Sequence, residues 1–274
     1  MHRGLYAGKE YWDRLDPHGR LRHILRSLSQ WHERWAFCGA SAAVMHGLDC
    51  SYRQLHPIHV AVGRNSRPRN QRYVRFHVLD DAETVAVDGA RVTSILRTLV
   101  DCAAMMPRRY AMAPIDSALR QGKTTVEQML EYVDAIPMLR DRERIRAVLA
   151  QGDGRVENGG ESECRAVLDE LGFPVHRVQV EFPCLSHPGR VHRVDFLWER
   201  DDGTLIAGEF DGVQKYVDPL MTAGRTIRQV VDDERDRQQC LSRRGVDMVR
   251  MFYRDLDNAQ VLAYRLEQAR VPRR

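Results

Sequence analysis

Residues 191–216 have the sequence VHRVDFLWERDDGTLIAGEFDGVQKY, and this stretch decides the fold of the second half of the chain. The alternation of apolar residues along VDFLW (194–198) predicts a strand and directs Asp195 to the face opposite Val194 and Phe196. The sequence DDG at 201–203 has the composition of a tight turn between two β-rich segments. The stretch therefore predicts a β-hairpin.

The second strand of this hairpin carries two further acidic residues, Glu209 and Asp211, on one face. If the two strands pair, Asp195, Glu209 and Asp211 converge at one end of the sheet, with Lys215 just beyond them. Crowded carboxylates repel one another unless a cation lies between them, and hard oxygen ligands suit magnesium or manganese. The central hypothesis is a metal-dependent phosphodiesterase site that uses Mg²⁺ or Mn²⁺.

The composition is that of a soluble globular protein with 274 residues, enough for one large or two ordinary domains. The 42 basic and 38 acidic residues give a net charge of +4, which permits nucleic-acid binding without arguing for it. The sequence contains no apolar segment long enough to span a bilayer. We therefore expect a cytoplasmic protein with no membrane partner.

The cysteines and histidines show no metal-binding pattern in the sequence. There is no CxxC pair and no Cys–His ligand spacing, so neither a zinc site nor a disulfide framework is expected. Reduced and mostly buried thiols are the prediction. The cysteines are Cys38, Cys50, Cys102, Cys164, Cys184 and Cys240.

The domain organisation follows from a glycine-rich stretch, QGDGRVENGG, at 151–160. We predict a mixed α+β domain at 1–150, a linker at 151–160 and a second domain at 161–274. In the second domain the predicted order is helix, three strands, helix, strand, helix. A helix between the last two strands allows a parallel crossover, so a mixed sheet is expected and the fold class is α/β, or α+β for the whole chain.

The second domain resembles the PD-(D/E)XK nuclease core, with its αβββαβ order, and more particularly the very-short-patch-repair endonucleases. Four motifs in the same order carry this resemblance: GGESECR (159–165), RVDFLW (193–198), GEFDGVQKY (208–216) and DDERDRQQCLSRRGVDMVRM (232–251). The resemblance implies a restriction-endonuclease-like fold and a magnesium-dependent endodeoxyribonuclease that acts in DNA repair or defence.

The resemblance also implies roles for individual residues. Asp195 and Glu209 would be the principal metal ligands, and Glu161 would add a ligand or hold a metal-bound water. Lys215 would stabilise the phosphate or orient the attacking water, although the family usually has its lysine two residues after the acid, where this chain has Asp211. Asp211 is either a further ligand or a turn residue, and Glu163 is the alternative to Glu161.

The N-terminal half resembles the AbiEi-type antitoxin domain of type IV toxin–antitoxin systems over about residues 3–120. The motifs that carry this resemblance are ASAAVMHGL (40–48), IHVAV (58–62) and VTSILRTLVDCA (92–103). Members of that family usually begin with a winged helix-turn-helix, whereas this chain opens at HRGLYA, where the wing would end. We therefore expect a truncated antitoxin domain that lacks the part entering a DNA groove, which argues against a repressor.

Two groups of arginines are candidates for contacts with a DNA backbone. The loop at 64–72 holds four arginines and no acid, and the charged helix predicted at 222–244 holds others. Residues 232–237 of that helix are interpreted as a solvated face with intrahelical ion pairs. The candidate residues are Arg64, Arg67, Arg69, Arg72, Arg225, Arg228 and Arg235.

Two other functions remain open beside the nuclease. One is an antitoxin-like or transcriptional regulator that binds DNA or a partner without catalysis. The other is a partner-binding scaffold with a vestigial nuclease fold. DNA is the expected partner of the chain, and a protein partner or a homodimer remains open. The intact acidic set argues against a vestigial site, because a fold without catalysis gains nothing by keeping like charges together.

Overall fold

The computed structural model describes residues 6–66, 68–79, 82–185, 187, 189–211 and 227–274, and in the helix Ile227–Arg243 the described side chains begin at residue 235. The chain divides into two compact units, Met1–Gly159 and Gly160–Arg274.

The described part of the first unit combines helices with a mixed five-stranded sheet. The strand order is β3-β2-β1-β5-β4, with β2/β3 and β1/β5 parallel and the remaining pairs antiparallel. The elements are α1 (Lys9–Arg14), α2 (Pro17–Trp31), β1 (Ala36–Phe37), α3 (Gly39–Met45), β2 (Ile58–Val62), β3 (Val74–Val78), β4 (Thr84–Val87), β5 (Ala90–Thr93), α4 (Ile95–Met105), α5 (Arg108–Arg120), α6 (Val126–Ala135) and α7 (Arg142–Leu149).

Local sequence explains where several of these elements begin. Asp16 accepts a hydrogen bond from Gly19 N at 2.7 Å and caps α2, and Thr125 forms a capping box with Gln128 at the start of α6. Asp88 and Gly89 have φ of 48° and 78°, the left-handed pair that a two-residue hairpin turn requires. These two residues form the loop of the hairpin between β4 and β5, in which Val87 lies opposite Ala90.

The small-residue segment 37–48 contains the end of a strand followed by a short helix. Ala36–Phe37 forms the central strand β1, and α3 begins only at Gly39, whose φ of +52° suits glycine. All residues of α3 are buried, which explains their small size. Asp101 of α4 accepts a backbone hydrogen bond from Gly39 and pairs with Arg97 at 2.8 Å, so a buried ion pair anchors the start of α3.

The stretch at 151–158, where the sequence predicts a linker, packs on α5. Asp153 N donates to the Asp116 carboxylate at 2.8 Å, and the Arg120 guanidinium donates to the Val156 carbonyl at 2.6 Å. A side chain at Gly152 would lie 2.6 Å from Leu119. This close packing explains why position 152 is occupied by glycine.

The second unit has the predicted order of helix, three strands, helix, strand and helices. Its sheet runs β6-β7-β8-β9, with β6/β7 and β7/β8 antiparallel and β8/β9 parallel. The mixed sheets and the α+β class predicted from the sequence are confirmed. The elements are α8 (Gly159–Glu170), β6 (Arg177–Pro183), β7 (Val191–Glu199), β8 (Leu205–Asp211), α9 (Ile227–Arg243), β9 (Val246–Phe252), α10 (Tyr253–Leu256) and α11 (Ala259–Gln268).

The two faces of this sheet are covered by different helices. On one face lies the buried Trp198, whose ring would meet a Cβ placed on Gly208 at 2.7 Å. Met251 lies on the same face and contacts Cys164 of α8. On the opposite face a buried cluster joins the sheet to α9; its members include Leu197, Ala207, Leu241 and Val246.

Candidate functional site

The sheet of the second unit loses its regular pairing at the level of Asp195. The ladder between β7 and β8 ends at Phe196 and Gly208, although both strands continue beyond that pair. On the other side of β7, Gln179 is the position of β6 that faces Asp195, and the ladder skips it. Gln179 has a φ of +53°, which is rare for a residue with a side chain. Asp195 thus lies between an interruption of the β6/β7 ladder and an interruption of the β7/β8 ladder.

The half-buried carboxylate of Asp195 occupies the gap that opens between β7 and β8. Its Oδ2 accepts a hydrogen bond from Phe210 N at 2.8 Å. A side chain therefore satisfies a backbone donor that regular pairing would have satisfied. This contact brings Asp195 to the residue that follows Glu209.

The interruption also shifts the alternation of side chains along β7. Val194 belongs to the buried cluster of Leu197 and Leu241, on the face covered by α9. The sequence pattern assigns Val194 to the same face as Phe196, and this assignment is wrong. The irregular backbone at the level of Gln179 explains the shift, because an interrupted strand does not keep a strict two-residue period.

Glu161 extends from the first turn of α8 to this level of the sheet. Gln179 Nε2 donates to Glu161 Oε2 at 2.8 Å, while Gln179 Oε1 is buried without a hydrogen-bond partner in the structure. Glu161 and its alternative, Glu163, are both 3% exposed. The contact with Gln179 links Glu161 to the strand position beside Asp195.

The pKa of the buried Cys164 thiol indicates that several carboxylates lie near α8. The pKa of Cys164 lies well above its ordinary value, first because the thiol is buried and then because of nearby negative charges. The contributing carboxylates are Asp195, Glu161, Glu163 and Asp255. The predicted acids Asp195 and Glu161 therefore act on the same buried atom.

Glu209, the predicted second principal ligand, is 4% exposed and is paired with a cation of α9. The Arg237 guanidinium donates to Glu209 Oε1 and also to the main-chain oxygen of Arg193 on β7. The sequence-based interpretation of 232–237 as a solvated face is wrong for Arg237, which is half-buried and holds this ion pair.

Asp211 is 8% exposed at the end of β8. Its Oδ2 lies 3.8 Å from Arg250 Nη1, and Arg250 lies opposite Glu209 in the β8/β9 register. The acids of β8 therefore lie beside an arginine from each of two neighbouring elements. This placement gives Asp211 a charged partner inside the fold, beyond a turn-forming role.

The donors of this region suit a hard cation by chemistry, since they are carboxylate oxygens and one buried amide oxygen, Gln179 Oε1. Among the described residues, however, no three carboxylates bring their oxygens within 4.8 Å of one another. Arg237 supplies positive charge beside Glu209 and Gln179 supplies a donor to Glu161.

Four of the predicted site residues lie outside the described residues or have side chains that are not described. Lys215, Arg67 and Arg225 lie outside the described residues, and Arg228 lies on α9 at a position whose side chain is not described. Arg64, Arg69 and Arg72 are exposed in the loop of the first unit, and the Arg72 guanidinium lies 5.1 Å from the ring of Tyr73.

The loop of arginines borders a groove in the first unit with a volume of about 630 Å³. Arg34 and Arg91 contribute positive charge to its walls, and Trp35 and Phe76 contribute aromatic surface. No acidic side chain is among the described residues that line it. The rings of Trp35 and Phe76 meet edge to face at 5.5 Å, which fixes the aromatic wall.

Sequence reasoning missed Arg237, Gln179, Arg34 and Arg91. Arg237 precedes the buried Cys240 and Leu241 by three and four positions, and this helical spacing could have indicated that it faces the sheet. Gln179 offers no such signal, because a left-handed residue inside a strand has no sequence pattern unless it is glycine.

In the part of the chain that the structure describes, no helix combines the length and apolar character needed to cross a membrane.

Comparison with known proteins gives a family match within the first unit. Residues 35–151 match the family described as "AbiEi antitoxin C-terminal domain". This match contains β1 to β5, the arginine loop and the described residues that line the groove apart from Arg34, and it supports the resemblance of the N-terminal half to an AbiEi-type antitoxin.

Two proteins of Mycobacterium tuberculosis resemble this chain over most of its length. They are the uncharacterized proteins MT2308 of strain CDC 1551 and Rv2248 of strain H37Rv. Each is 28% identical over 213 residues, which is 72% of this chain and 74% of the relative.

Proposed function

We propose that this chain is a nucleic-acid-binding component of a toxin–antitoxin system, with residues 35–151 as its antitoxin-type module. The observation that carries the proposal is the groove of Arg34, Trp35, Phe76 and Arg91, whose described lining residues other than Arg34 lie within the matched region. This proposal agrees with the regulator that the sequence left open as an alternative to the nuclease.

The composition of the groove suits a nucleic-acid backbone. Arginines attract phosphates, and flat aromatic side chains offer surface to sugars or unstacked bases. The exposed loop residues Arg64, Arg69 and Arg72 add positive charge beside the groove. Such contacts are not sequence-specific by themselves, so they predict binding that depends strongly on salt concentration.

Fluorescence anisotropy of a labelled DNA duplex, titrated with the full chain at several salt concentrations, tests this role. For B-DNA the slope of log K against log salt is about −0.9 for each phosphate contact. The double variant Arg34→Ser/Arg91→Ser should therefore bind more weakly, with a slope shallower by about 1.8. The double variant Arg26→Ser/Arg140→Ser is the matched control, since it removes the same charge from exposed positions outside the groove.

Equal weakening in the two double variants would show that only net charge matters and would remove the groove from the proposal. Absence of DNA and RNA binding by the unaltered chain would leave the module as a partner-binding one, which is the other role open to an antitoxin.

We also propose a second function for residues 160–274, a metal-dependent endonuclease activity on DNA. The topology supports it, because the mixed sheet β6-β7-β8-β9 with its flanking helices has the order of the PD-(D/E)XK core. The acids Glu161, Asp195 and Glu209 at neighbouring positions of this fold support it further.

In this function Asp195 and Glu209 would hold Mg²⁺ or Mn²⁺, with Glu161 or Asp211 as a further ligand. When bound, the ion would lower the pKa of its water and neutralise charge on the phosphate. Arg237, beside Glu209, is the described cation best located to stabilise the phosphate, a role for which the sequence predicted Lys215. Gln179 would orient Glu161 through its amide N–H.

A plasmid-nicking assay with the full chain, in Mg²⁺, Mn²⁺ or chelator, tests the nuclease. Asp195→Asn and Glu209→Gln should abolish metal-dependent nicking, and Glu161→Gln against Glu163→Gln decides between the two acids of α8. Glu181→Gln, an exposed acid on β6, is the matched control and should keep full activity.

Nicking that is equal in the unaltered chain and in Asp195→Asn would indicate a contaminating nuclease. DNA binding without nicking in any metal would leave the chain with the first function alone.

A further inference from the structure

A compact group of soft ligands lies in the second unit, apart from the acidic residues. It consists of Cys184 after β6, His192 on β7 and Cys240 on α9, and one ligand atom from each lies within 4.8 Å of the others. Among the described residues this is the group of cysteines, histidines and acids that meets this distance. The sequence-based expectation that no Cys and His are grouped is therefore wrong.

The distances suit tetrahedral coordination. The Cys184 and Cys240 sulfurs are 3.5 Å apart, and Cys184 Sγ lies 3.9 Å from His187 Nδ1. Zinc–ligand bonds of about 2.3 Å to sulfur and 2.0–2.1 Å to nitrogen, at tetrahedral angles, separate two sulfurs by about 3.8 Å and sulfur from nitrogen by about 3.6 Å. Both measured separations lie close to these values.

His192 gives an independent indication of a ligand. The residue is 4% exposed, and its buried Nε2 has no hydrogen-bond partner among the described residues. A buried ring nitrogen without a partner carries a desolvation cost of about 1–3 kcal/mol. Coordination of a metal by Nε2 would satisfy this atom.

The surroundings of the sulfurs also suit thiolate ligands. Leu185 N lies 3.1 Å from Cys240 Sγ and donates to it, as backbone amides do to anionic sulfur. Two backbone hydrogen bonds connect the described residues beside the sulfurs: Cys184 N donates to the Arg190 carbonyl at 2.7 Å, and Arg190 N donates to the His187 carbonyl at 3.1 Å. The four residues Cys184, His187, His192 and Cys240 all line a cavity of about 220 Å³.

We propose that Cys184, His187, His192 and Cys240 form a structural zinc site. Two thiolates and two neutral imidazoles around Zn²⁺ have no net charge, which suits a largely buried position. His187 contacts Cys184 but lies outside the group of three that meets the 4.8 Å distance, so its imidazole would turn toward the metal to complete the set. Four protein ligands would leave no open position on the metal, which makes the proposed site structural and not catalytic.

The site would fasten α9 to the β6–β7 turn. Cys240 lies on α9 one turn after Arg237, the partner of Glu209. Zinc at Cys240 would therefore fix the part of α9 that supplies Arg237 to the acidic region. This inference does not depend on catalysis, since it concerns the stability and metal content of the second unit.

Metal analysis of the full chain, purified without an affinity tag or chelator, tests the proposal. We expect one zinc per chain, lost in Cys184→Ser, Cys240→Ser and His192→Asn. Cys50→Ala and His176→Asn are the matched controls outside the group and should keep the metal. His187→Asn removes the fourth proposed ligand and should lower the zinc content as well, and an unchanged zinc content in this variant would remove His187 from the site.

Cobalt substitution gives a second measurement that needs no variant. The unaltered chain loaded with Co²⁺ should show sulfur-to-cobalt charge-transfer absorption and the intense visible bands of tetrahedral coordination. A thiol titration of the denatured, demetallated chain should count all six cysteines. A count of four, with the loss assigned to Cys184 and Cys240, would establish a disulfide and overturn the zinc site. Absence of zinc binding and of charge-transfer absorption would overturn it equally.

Discussion

The guanidinium of Arg237 donates a hydrogen bond to the carboxylate of Glu209, and the two side chains are 21% and 5% exposed. Glu209 is therefore a charged acid inside the fold whose positive partner comes from a helix 28 positions further along the chain. A buried carboxylate needs such a partner, because burial without one costs several kcal/mol.

Replacement of Arg237 by methionine should destabilise the chain by about 2–4 kcal/mol, because Glu209 is left without its ion pair. Urea unfolding followed by circular dichroism measures the loss. Arg235→Met is the control, since Arg235 is exposed on the same helix, and it should change the free energy of unfolding by less than about 0.5 kcal/mol. The double variant Arg237→Met/Glu209→Gln should recover much of the loss, whereas additive losses would mean that the pair does not interact.

The ion pair of Arg97 and Asp101 is buried more deeply, with side chains 9% and 2% exposed. Burial raises the pKa of Asp101 to about 6, and the nearby Arg97 opposes this shift. Arg97→Met should therefore raise the pKa further and destabilise the first unit by about 3–5 kcal/mol at neutral pH.

The pH dependence of this loss has a definite sign. A raised pKa means that the folded state binds the proton more tightly than the unfolded state, so this carboxyl favours folding more at low pH. The destabilisation by Arg97→Met should be smaller at pH 5 than at pH 7.5 in urea unfolding. An equal loss at the two values would mean that Asp101 stays charged without Arg97.

His59 and His77 should make the first unit less stable in weak acid. Their rings are joined by a hydrogen bond of 2.8 Å, and burial, then His77 and Arg75, lowers the pKa of His59 to about 4. Between pH 6.5 and 4 the unfolded state therefore binds more protons than the folded state. Stability from His59 is present above this window and is lost as the pH falls through it, by at most on the order of 3 kcal/mol.

Urea unfolding of His59→Gln beside the unaltered chain, between pH 7 and pH 4.5, isolates this effect from that of Asp101, which has the opposite sign. The variant should show a smaller loss of stability on acidification. His32→Gln, at an exposed position of the same unit, should keep the slope of the unaltered chain. A parallel loss in all three proteins would mean that His59 is protonated in the folded state.

The left-handed backbone of Gln179 predicts an inverted order of two small substitutions. In an ordinary strand alanine is more stabilising than glycine by about 0.5–1 kcal/mol. At Gln179, with φ of +53°, Gln179→Gly should instead be more stable than Gln179→Ala by about 1 kcal/mol, since both lose the bond to Glu161 and only glycine relieves the strain. Glu181, exposed on the same strand, should give the ordinary order.

The regular part of the second unit could be predicted from the sequence because its strands and helices follow simple periods. The order of elements, the mixed sheet and the acids Asp195 and Glu209 at its centre all follow from those periods. The departures could not be predicted, since they depend on long-range contacts. Gln179 adopts a rare backbone angle, Val194 changes face as a result, and Arg237 finds its partner across the sheet.

The grouping of Cys184, His192 and Cys240 could not be predicted for the same reason. Cys184 and Cys240 are 56 positions apart, so their proximity depends on how α9 packs on the sheet. Short-range spacing rules detect ligands that share a turn, such as Cys184 and His187, only when the intervening segment is recognised as a turn. Ligands on two separate elements become visible once the fold is known.

The packing of Trp198 against Gly208 changes what the motif GEFD can tell about function. A side chain at Gly208 would collide with the indole, so the residue immediately before Glu209 is constrained by the shape of the core on the other face of the strand. Gly208 is therefore constrained by the space beside the indole, whereas the neighbouring Glu209 is constrained by its charge. A relative that keeps the glycine but replaces Glu209 would have retained the packing around the tryptophan and lost the acid. The presence of the glycine is therefore no evidence for the acid, and the two residues should be considered separately when such domains are classified as active or inactive.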